Sequence, residues 1–335
     1  MAALKAEVPA VRITPGDMHT LRTTCRHDET HGYVFFNNYQ RRMKMEDHPG
    51  VQLEGWLGAF DEENKNPNRE KIVFPAFDLK EGMYGFFPYN MKLKDATLKT
   101  ALATPLCILH TKEDDTFVFY GCQEPQFTWK DEKRLDILHL SREEALNAWK
   151  VTLDQDYLVL SGNYVWAEDD KIKVTGGNDT KIAVYPAVEN GIENFKECGK
   201  SGRFTVYERV IETAETTADV QVVKEIPESS VYEITVNYPD SLKKEARQTG
   251  RDVLLYFTYQ GNRMEVFLDG EKINDYFYTG QEVPISLGYF EFPKKLTVEI
   301  FPLGEGDAVF LEKKPEFVDG VACKLSQVRI EEQFR

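Results

Sequence analysis

The stretch YVFFNNYQRR, residues 33–42, crowds aromatic and β-branched residues into one short run and stops it at Asn37-Asn38. Such side chains suit a pleated, half-buried surface, while asparagine bonds to nearby backbone and favours turns, so the run reads as a buried strand ended by a polar corner. Just upstream, Leu21, Thr23 and Cys25 alternate with Arg22, Thr24 and Arg26, the period of two of a second strand over 21–28. The polar residues 28–32 between the two runs suit a hairpin loop. An antiparallel hairpin is therefore expected near the start of the chain.

The same grammar extends outward. From Val51 to Val165 the apolar runs are short and aromatic or β-branched, separated by polar turns at 61–68, 80–82 and 112–115. One helix is expected at 141–150, where Ser141 precedes Glu144 by the three residues of a capping box and Ala145, Leu146 and Trp149 share a face. Further strands are expected at 157–160, 164–167, 171–174 and 182–185. Residues 189–202 then turn polar and glycine-rich, the mark of a linker or long loop. Strand patterns resume at 204–211, 220–226, 231–236, 253–259, 264–268, 296–301 and 309–311. Strands nowhere alternate with amphipathic helices of 10–15 residues, which excludes a parallel sheet or an eight-fold βα barrel. The expected fold is all-β, with two or more β-sandwich or jelly-roll-like domains of antiparallel strands and one or a few short helices. A boundary near Thr216 divides a β-rich region at 1–215 from a jelly-roll-like domain at 216–335.

A chain of 335 residues is long enough for two cores. Its 41 basic and 56 acidic residues leave a net charge of -15 with no Lys/Arg-rich block, which argues against nucleic acid and against an anionic membrane as partners. No run approaches the ~20 apolar residues of a membrane span. Residues 1–7 lack the apolar core of a secretory signal, so a soluble chain is expected. The five cysteines are far apart and form no C-x-x-C pair. They read as free, mostly buried thiols of a reducing, cytoplasmic compartment, with no metal or cofactor implied.

Several constellations invite chemistry. His27 and His31 would face a metal together on a helix, but the pattern around them is β and that geometry is lost in a hairpin loop. No Gly-x-Ser-x-Gly elbow marks a nucleophile. Glycoside hydrolysis needs two facing carboxylates. The acids here cluster instead, as in Glu113-Asp114-Asp115 and Glu168-Asp169-Asp170, which read as solvated turns. Aromatic residues are abundant, and flat rings on a sandwich can stack on sugar faces while amides and guanidinium groups bond the hydroxyls. The carbohydrate-contact candidates are Asn37, Asn38, Tyr39, Arg41, Trp56, Trp129 and Trp166. Core packing is the competing role for each aromatic, and exposure separates the two.

Taken together, YVFFNNYQRR (33–42), FPAFDLKEGMYGFFPYNMKL (74–93) with ATPLC (103–107), FVFYG (117–121), and FLDGEKINDYFYTGQEVPISLGYF (267–290) with VFLEKKPEF (309–317) resemble the β-rich region that follows the catalytic barrel in bacterial β-galactosidases of glycoside hydrolase family 35. The 267–290 stretch is the most specific: Asp269-Gly270 signals a tight turn, and the aromatics at 276–278 would seat the next strand. The family's two catalytic glutamates lie on barrel strands, and nothing in this chain resembles them, so the resemblance assigns no catalytic residue here. It implies an accessory region that supports a catalytic barrel, completes or shields a galactoside site through loops such as 37–42, and does not hydrolyse galactosides alone. The short lead from Met1 suits a chain starting after such a barrel. Two other functions fit the composition: a carbohydrate-binding β-sandwich module, and a self-sufficient β-sandwich glycosidase with two facing carboxylates.

Overall fold

The structure is a computed structural model that describes residues 5–7, 21–41, 43–58, 69–175, 179–189, 191–210, 215–226, 228–249 and 251–333. The expected turn at 61–68, Arg42 and Ile211 lie outside the described residues. The described chain is all-β, built of several mostly antiparallel sheets with two short helices. It groups into two compact units: Met1–Leu160 with Ala183–Val188 and Gly202–Thr205, and Ser161–Ile182 with Glu189–Ser201 and Val206–Arg335. The boundary expected near Thr216 falls inside the second unit.

In the first unit the expected hairpin is present: Arg22–His27 pairs antiparallel with Gly32–Asn37, with Cys25 opposite Val34. Its loop is fixed by Asp28, whose Oδ1 accepts the N–H groups of Thr30 and His31, both at 3.0 Å. The hairpin lies inside a six-stranded sheet, in the order Lys5–Glu7, Arg22–His27, Gly32–Asn37, Tyr84–Leu93, Ala96–Ala101, Phe127–Trp129. Val34, Phe36, Phe87 and Tyr89 point into a core shared with Ile72, Phe74 and Leu79. Two glycines make that core possible. A Cβ on Gly32 would come within 2.5 Å of the Tyr89 hydroxyl, and one on Gly55 within 2.6 Å of the Tyr89 ring. The hydroxyl so enclosed donates to the Trp56 carbonyl at 2.9 Å and lies 3.0 Å from Cys25 Sγ, so its burial leaves no polar atom stranded.

A second sheet contains Thr104–His110, Asp115–Tyr120 and Ile137–Leu140; its last pair runs parallel, a local exception to the antiparallel expectation. The capping box forms as the sequence indicates, with Glu144 N–H bonded to the Ser141 side chain and Ser141 N–H to the Glu144 carboxylate. The helix is shorter than expected: Arg142–Leu146, ended by Asn147. Residues Ala148–Thr152 form a strand against Asp156–Leu160, with Trp149 opposite Val159. Leu146 is consequently 79% exposed and shares no face with Trp149. Strand pairing that buries Val151 outweighs a helical continuation stabilised only by local contacts.

The second unit contains a β-sandwich. One sheet runs in the order Thr217–Ile226, Ser229–Asn237, Lys295–Phe301, Arg263–Leu268, Glu271–Phe277, and the other in the order Val283–Ser286, Asp252–Gln260, Lys324–Gln333. Strict alternation in Asp252–Gln260 sends Val253, Leu255, Phe257 and Tyr259 into a core with Ile234, Met264, Val266, Val298 and Ile300. Each aliphatic side chain so buried contributes about 1.5–3 kcal/mol. Asp269 and Gly270, at φ 50° and 84°, close the hairpin between Arg263–Leu268 and Glu271–Phe277, so the tight-turn expectation holds.

Three details differ from expectation. Residues 309–311 form no strand; Leu311 packs on the core while Phe310 is exposed. The polar stretch 189–202 contains the strand Lys196–Ser201, exposed at every residue. Asp240–Thr249 is a helix that the apolar pattern of this region leaves unannounced; among its described side chains Leu242 and Ala246, one turn apart, are buried in the core. All five cysteines are free thiols, but only Cys25 is buried; Cys198 is exposed and the rest are half-buried. No described helix is long and apolar enough to cross a membrane.

Candidate functional site

The strand Gly32–Asn37 ends in a corner whose construction explains the Asn-Asn pair. Alternation carries Asn38 inward to complete burial, where an amide is costly unless bonded. Its Nδ2 donates to the carbonyls of Glu46, at 2.8 Å, and Lys80, at 3.0 Å. Its backbone N–H donates to the Met83 carbonyl, and its own carbonyl accepts the Gly82 N–H. One residue thus ties together three segments of chain. The arrangement is reinforced by Asp47, which accepts the Glu81 N–H at 2.9 Å and the Lys80 ammonium at 3.1 Å. The Glu81 N–H and then the Lys80 side chain hold the Asp47 carboxyl below the usual carboxylate range.

Outward from this anchor, Asn37 Oδ1 accepts the Tyr39 N–H at 2.7 Å, a local turn that sends Tyr39 to the surface. Arg41 is exposed beyond it. Tyr84 stands opposite Asn37 in the sheet register, exposed as well, with the Arg142 guanidinium 4.4 Å from its ring centroid. Phenol rings and guanidinium groups fixed on a rigid corner can stack on an apolar sugar face and donate to hydroxyls. Tyr84 and Arg142 were not among the sequence candidates. Tyr84 lies inside the family-like 74–93 stretch, whereas nothing local marks Arg142.

The other candidates do not join this corner. Trp56 sits on the hairpin Glu54–Leu57/Glu70–Val73, half-buried, with Arg69 at 5.6 Å and Lys71 at 6.0 Å from its ring centroid. Its ring sits against cations of its own chain, as the Tyr84 ring does, but on a different hairpin. Trp129 pairs with Leu98 and packs against the cluster of Leu93, Leu98, Phe117 and Phe119, the core role. Trp166 belongs to the second unit, on the hairpin Tyr164–Glu168/Lys171–Thr175, and is exposed. Tyr164, two residues away on the same strand face, is exposed too, which places two aromatic side chains ~7 Å apart along one edge.

His27 and His31 are engaged separately. His27 is buried, with Nδ1 against the Glu29 N–H and Nε2 3.0 Å from Arg69. His31 pairs with Asp28 at 2.9 Å. No cluster of three or more metal-ligating side chains occurs among the described residues.

The carboxylates are likewise absorbed locally. Asp169 and Asp170 adopt φ 50° and 54° in the turn of their hairpin, and Asp114 and Asp115 pair with Lys94 and His110. Among the described residues two acidic side chains are buried, and each has a base beside it. Asp156 meets Lys150 at 2.7 Å and accepts from His110 N–H and the Thr152 hydroxyl. Glu332 accepts from Arg251 Nε at 3.0 Å.

Compared with known proteins, the chain matches no family model and no curated protein.

Proposed function

We propose that this chain is the accessory β region of a β-galactosidase-like glycoside hydrolase resembling family 35, supporting a catalytic barrel rather than cleaving galactosides itself. The observation that carries this reading is the Asn38 corner. There one of the family-like stretches carries Tyr39 and Arg41 to the surface, next to Asn37, which stands opposite Tyr84 with its Arg142 partner, on a scaffold fixed by buried hydrogen bonds. A loop so held is suited to close over a saccharide bound by an adjoining domain. The test is hydrolysis of a chromogenic β-galactoside by the purified chain, beside a protein in which the chain is joined to such a barrel. Turnover only in the joined protein, weakened by Tyr39→Ala, is the expected outcome. Turnover by the chain alone would overturn the reading.

The Tyr164–Trp166 pair favours a second reading, a carbohydrate-binding β-sandwich module. It is tested by titrating soluble β-galactan into the chain and following tryptophan fluorescence. A saturable change abolished by Trp166→Ala supports it, and an unchanged spectrum opposes it.

A further inference from the structure

The strand Thr217–Ile226 is an outer strand of the five-stranded sheet, paired among the described residues on one side only, with Ser229–Asn237. Its register fixes which face each residue takes. Ala218, Val220 and Val222 stand opposite Val236, Ile234 and Tyr232, all buried, so these three belong to the core face. Yet Val220 is 45% and Val222 54% exposed, because the facing sheet has only three strands against five. Asp219, Gln221 and Lys224 stand opposite Thr235, Glu233 and Val231 on the outer face. Between Val222 and Lys224 the register slips by one, leaving Val223 as a bulged extra residue, 63% exposed.

A long outer strand with exposed apolar residues is a template for another strand, and proteins guard such edges with lysines and bulges. Here both guards are self-complementary. If two copies of the strand meet antiparallel about Gln221, then Val220 of each stands opposite Val222 of the other, on the core face. Passing over the bulged Val223 in each copy, Asp219 of each then meets Lys224 of the other, on the outer face. A single register thus closes the apolar row and pairs the charges, and the bulge is what brings Lys224 to the same face as Asp219. The charges are available for it. Asn237 Nδ2 holds one oxygen of Asp219 at 2.7 Å, and Lys224 has no ion-pair partner among the described residues. The opposite outer strand, Glu271–Phe277, differs: its Lys272 is paired with both Glu265 and Asp275.

We propose that Thr217–Ile226 is a homodimer interface, through which two copies of this chain join their five-stranded sheets into one continuous sheet across a two-fold axis at Gln221. This rests on the edge strand alone and is independent of any carbohydrate chemistry. The symmetry is isologous, so one substitution acts twice in each dimer.

The test is sedimentation equilibrium of the full chain, unaltered, with Lys224→Asp, and with the double exchange Asp219→Lys/Lys224→Asp. The unaltered chain is expected to dimerise at micromolar concentration. Lys224→Asp sets two carboxylates face to face at both symmetric positions and should weaken the dimer about tenfold or more, and the double exchange should restore it. Thermal unfolding of the monomer should stay unchanged in Lys224→Asp, because the residue is exposed and has no ion-pair partner among the described residues. A monomeric unaltered chain at high micromolar concentration, or a dimer indifferent to Lys224→Asp, would each overturn the proposal.

Discussion

Arg251 and Glu332 form an ion pair with side chains only 9% and 5% exposed, joining the start of Asp252–Gln260 to the end of Lys324–Gln333. Two ions withdrawn from water are tolerable only together. Glu332→Ala, which takes a carboxylate away from a buried guanidinium, is expected to lower stability by about 3 kcal/mol, whereas the double change Arg251→Met/Glu332→Leu should stay near the unaltered value. Urea unfolding of the three proteins checks this, and equal losses in both variants would contradict it.

The corner at Asn38 makes a sharper demand. Asn38→Ala removes two hydrogen bonds to carbonyls that remain buried, at an expected cost of about 2 kcal/mol. Asn38→Asp is expected to be worse at pH 7, because an ionised carboxylate would face those same carbonyl oxygens. Its folded pKa must then be raised, so the extra loss should shrink as pH falls toward 4 and the carboxyl gains a proton. Unfolding midpoints of both variants at pH 7 and pH 4 test the sign.

How much of this was legible depended on the range of the interactions. The hairpin around residues 28–32, the Ser141 capping box and the Asp269-Gly270 turn are set by neighbours in sequence, and the residue pattern indicated each of them. The end of the first helix was not, because the pairing of Trp149 with Val159 decides it. The Asp240–Thr249 helix was invisible because its sequence carries no run of apolar residues at helical spacing, Leu242 and Ala246 being its described core contacts. The same limit applies to the candidate site. Asn37, Asn38 and Tyr39 share one local turn, whereas Tyr84 and Arg142 reach that corner through sheet register and a ring contact across 58 positions, which no local pattern encodes. The three tryptophans looked alike in sequence, and their burial and partners alone separate them.

Asp156 provides a pH dependence. Burial pushes its carboxyl upward, but the His110 N–H, the Lys150 ammonium and the Thr152 hydroxyl together outweigh it and bring the pKa down to about 2 from 3.8. A carboxyl depressed on folding stabilises the protein above its unfolded pKa, and that contribution fades as pH falls from about 4 to about 2. The shift corresponds to about 2 kcal/mol. Asp156→Asn should therefore lose about that much at pH 7 and flatten the acid limb of the stability curve. At half-buried Asp28 burial likewise pushes the carboxyl upward, but the His31 N–H and the Thr30 hydroxyl and N–H outweigh it and bring the pKa to about 2, so Asp28 contributes to the same limb and keeps it from vanishing. Stability measured from pH 6 to pH 2 for the unaltered chain and Asp156→Asn would refute the assignment if the two curves ran parallel.

The turn at Asp269-Gly270 isolates backbone geometry from packing. Gly270 has φ 84°, yet a Cβ added there would meet nothing within 4 Å. Space is therefore no obstacle, and any cost of substitution comes from holding an L-residue in the left-handed region. Gly270→Ala is expected to lose about 1 kcal/mol and Gly270→Val about 2 kcal/mol, since β-branching makes positive φ harder still. Asp269→Asn, at φ 50°, should change little, because asparagine accepts that region readily. At Gly280 the same positive φ is combined with Lys313 Cβ only 2.7 Å from an added Cβ, so Gly280→Ala should cost more than Gly270→Ala. Urea unfolding of the two alanine variants decides the point: equal losses would mean that the Lys313 side chain moves aside freely and that backbone strain alone governs both turns.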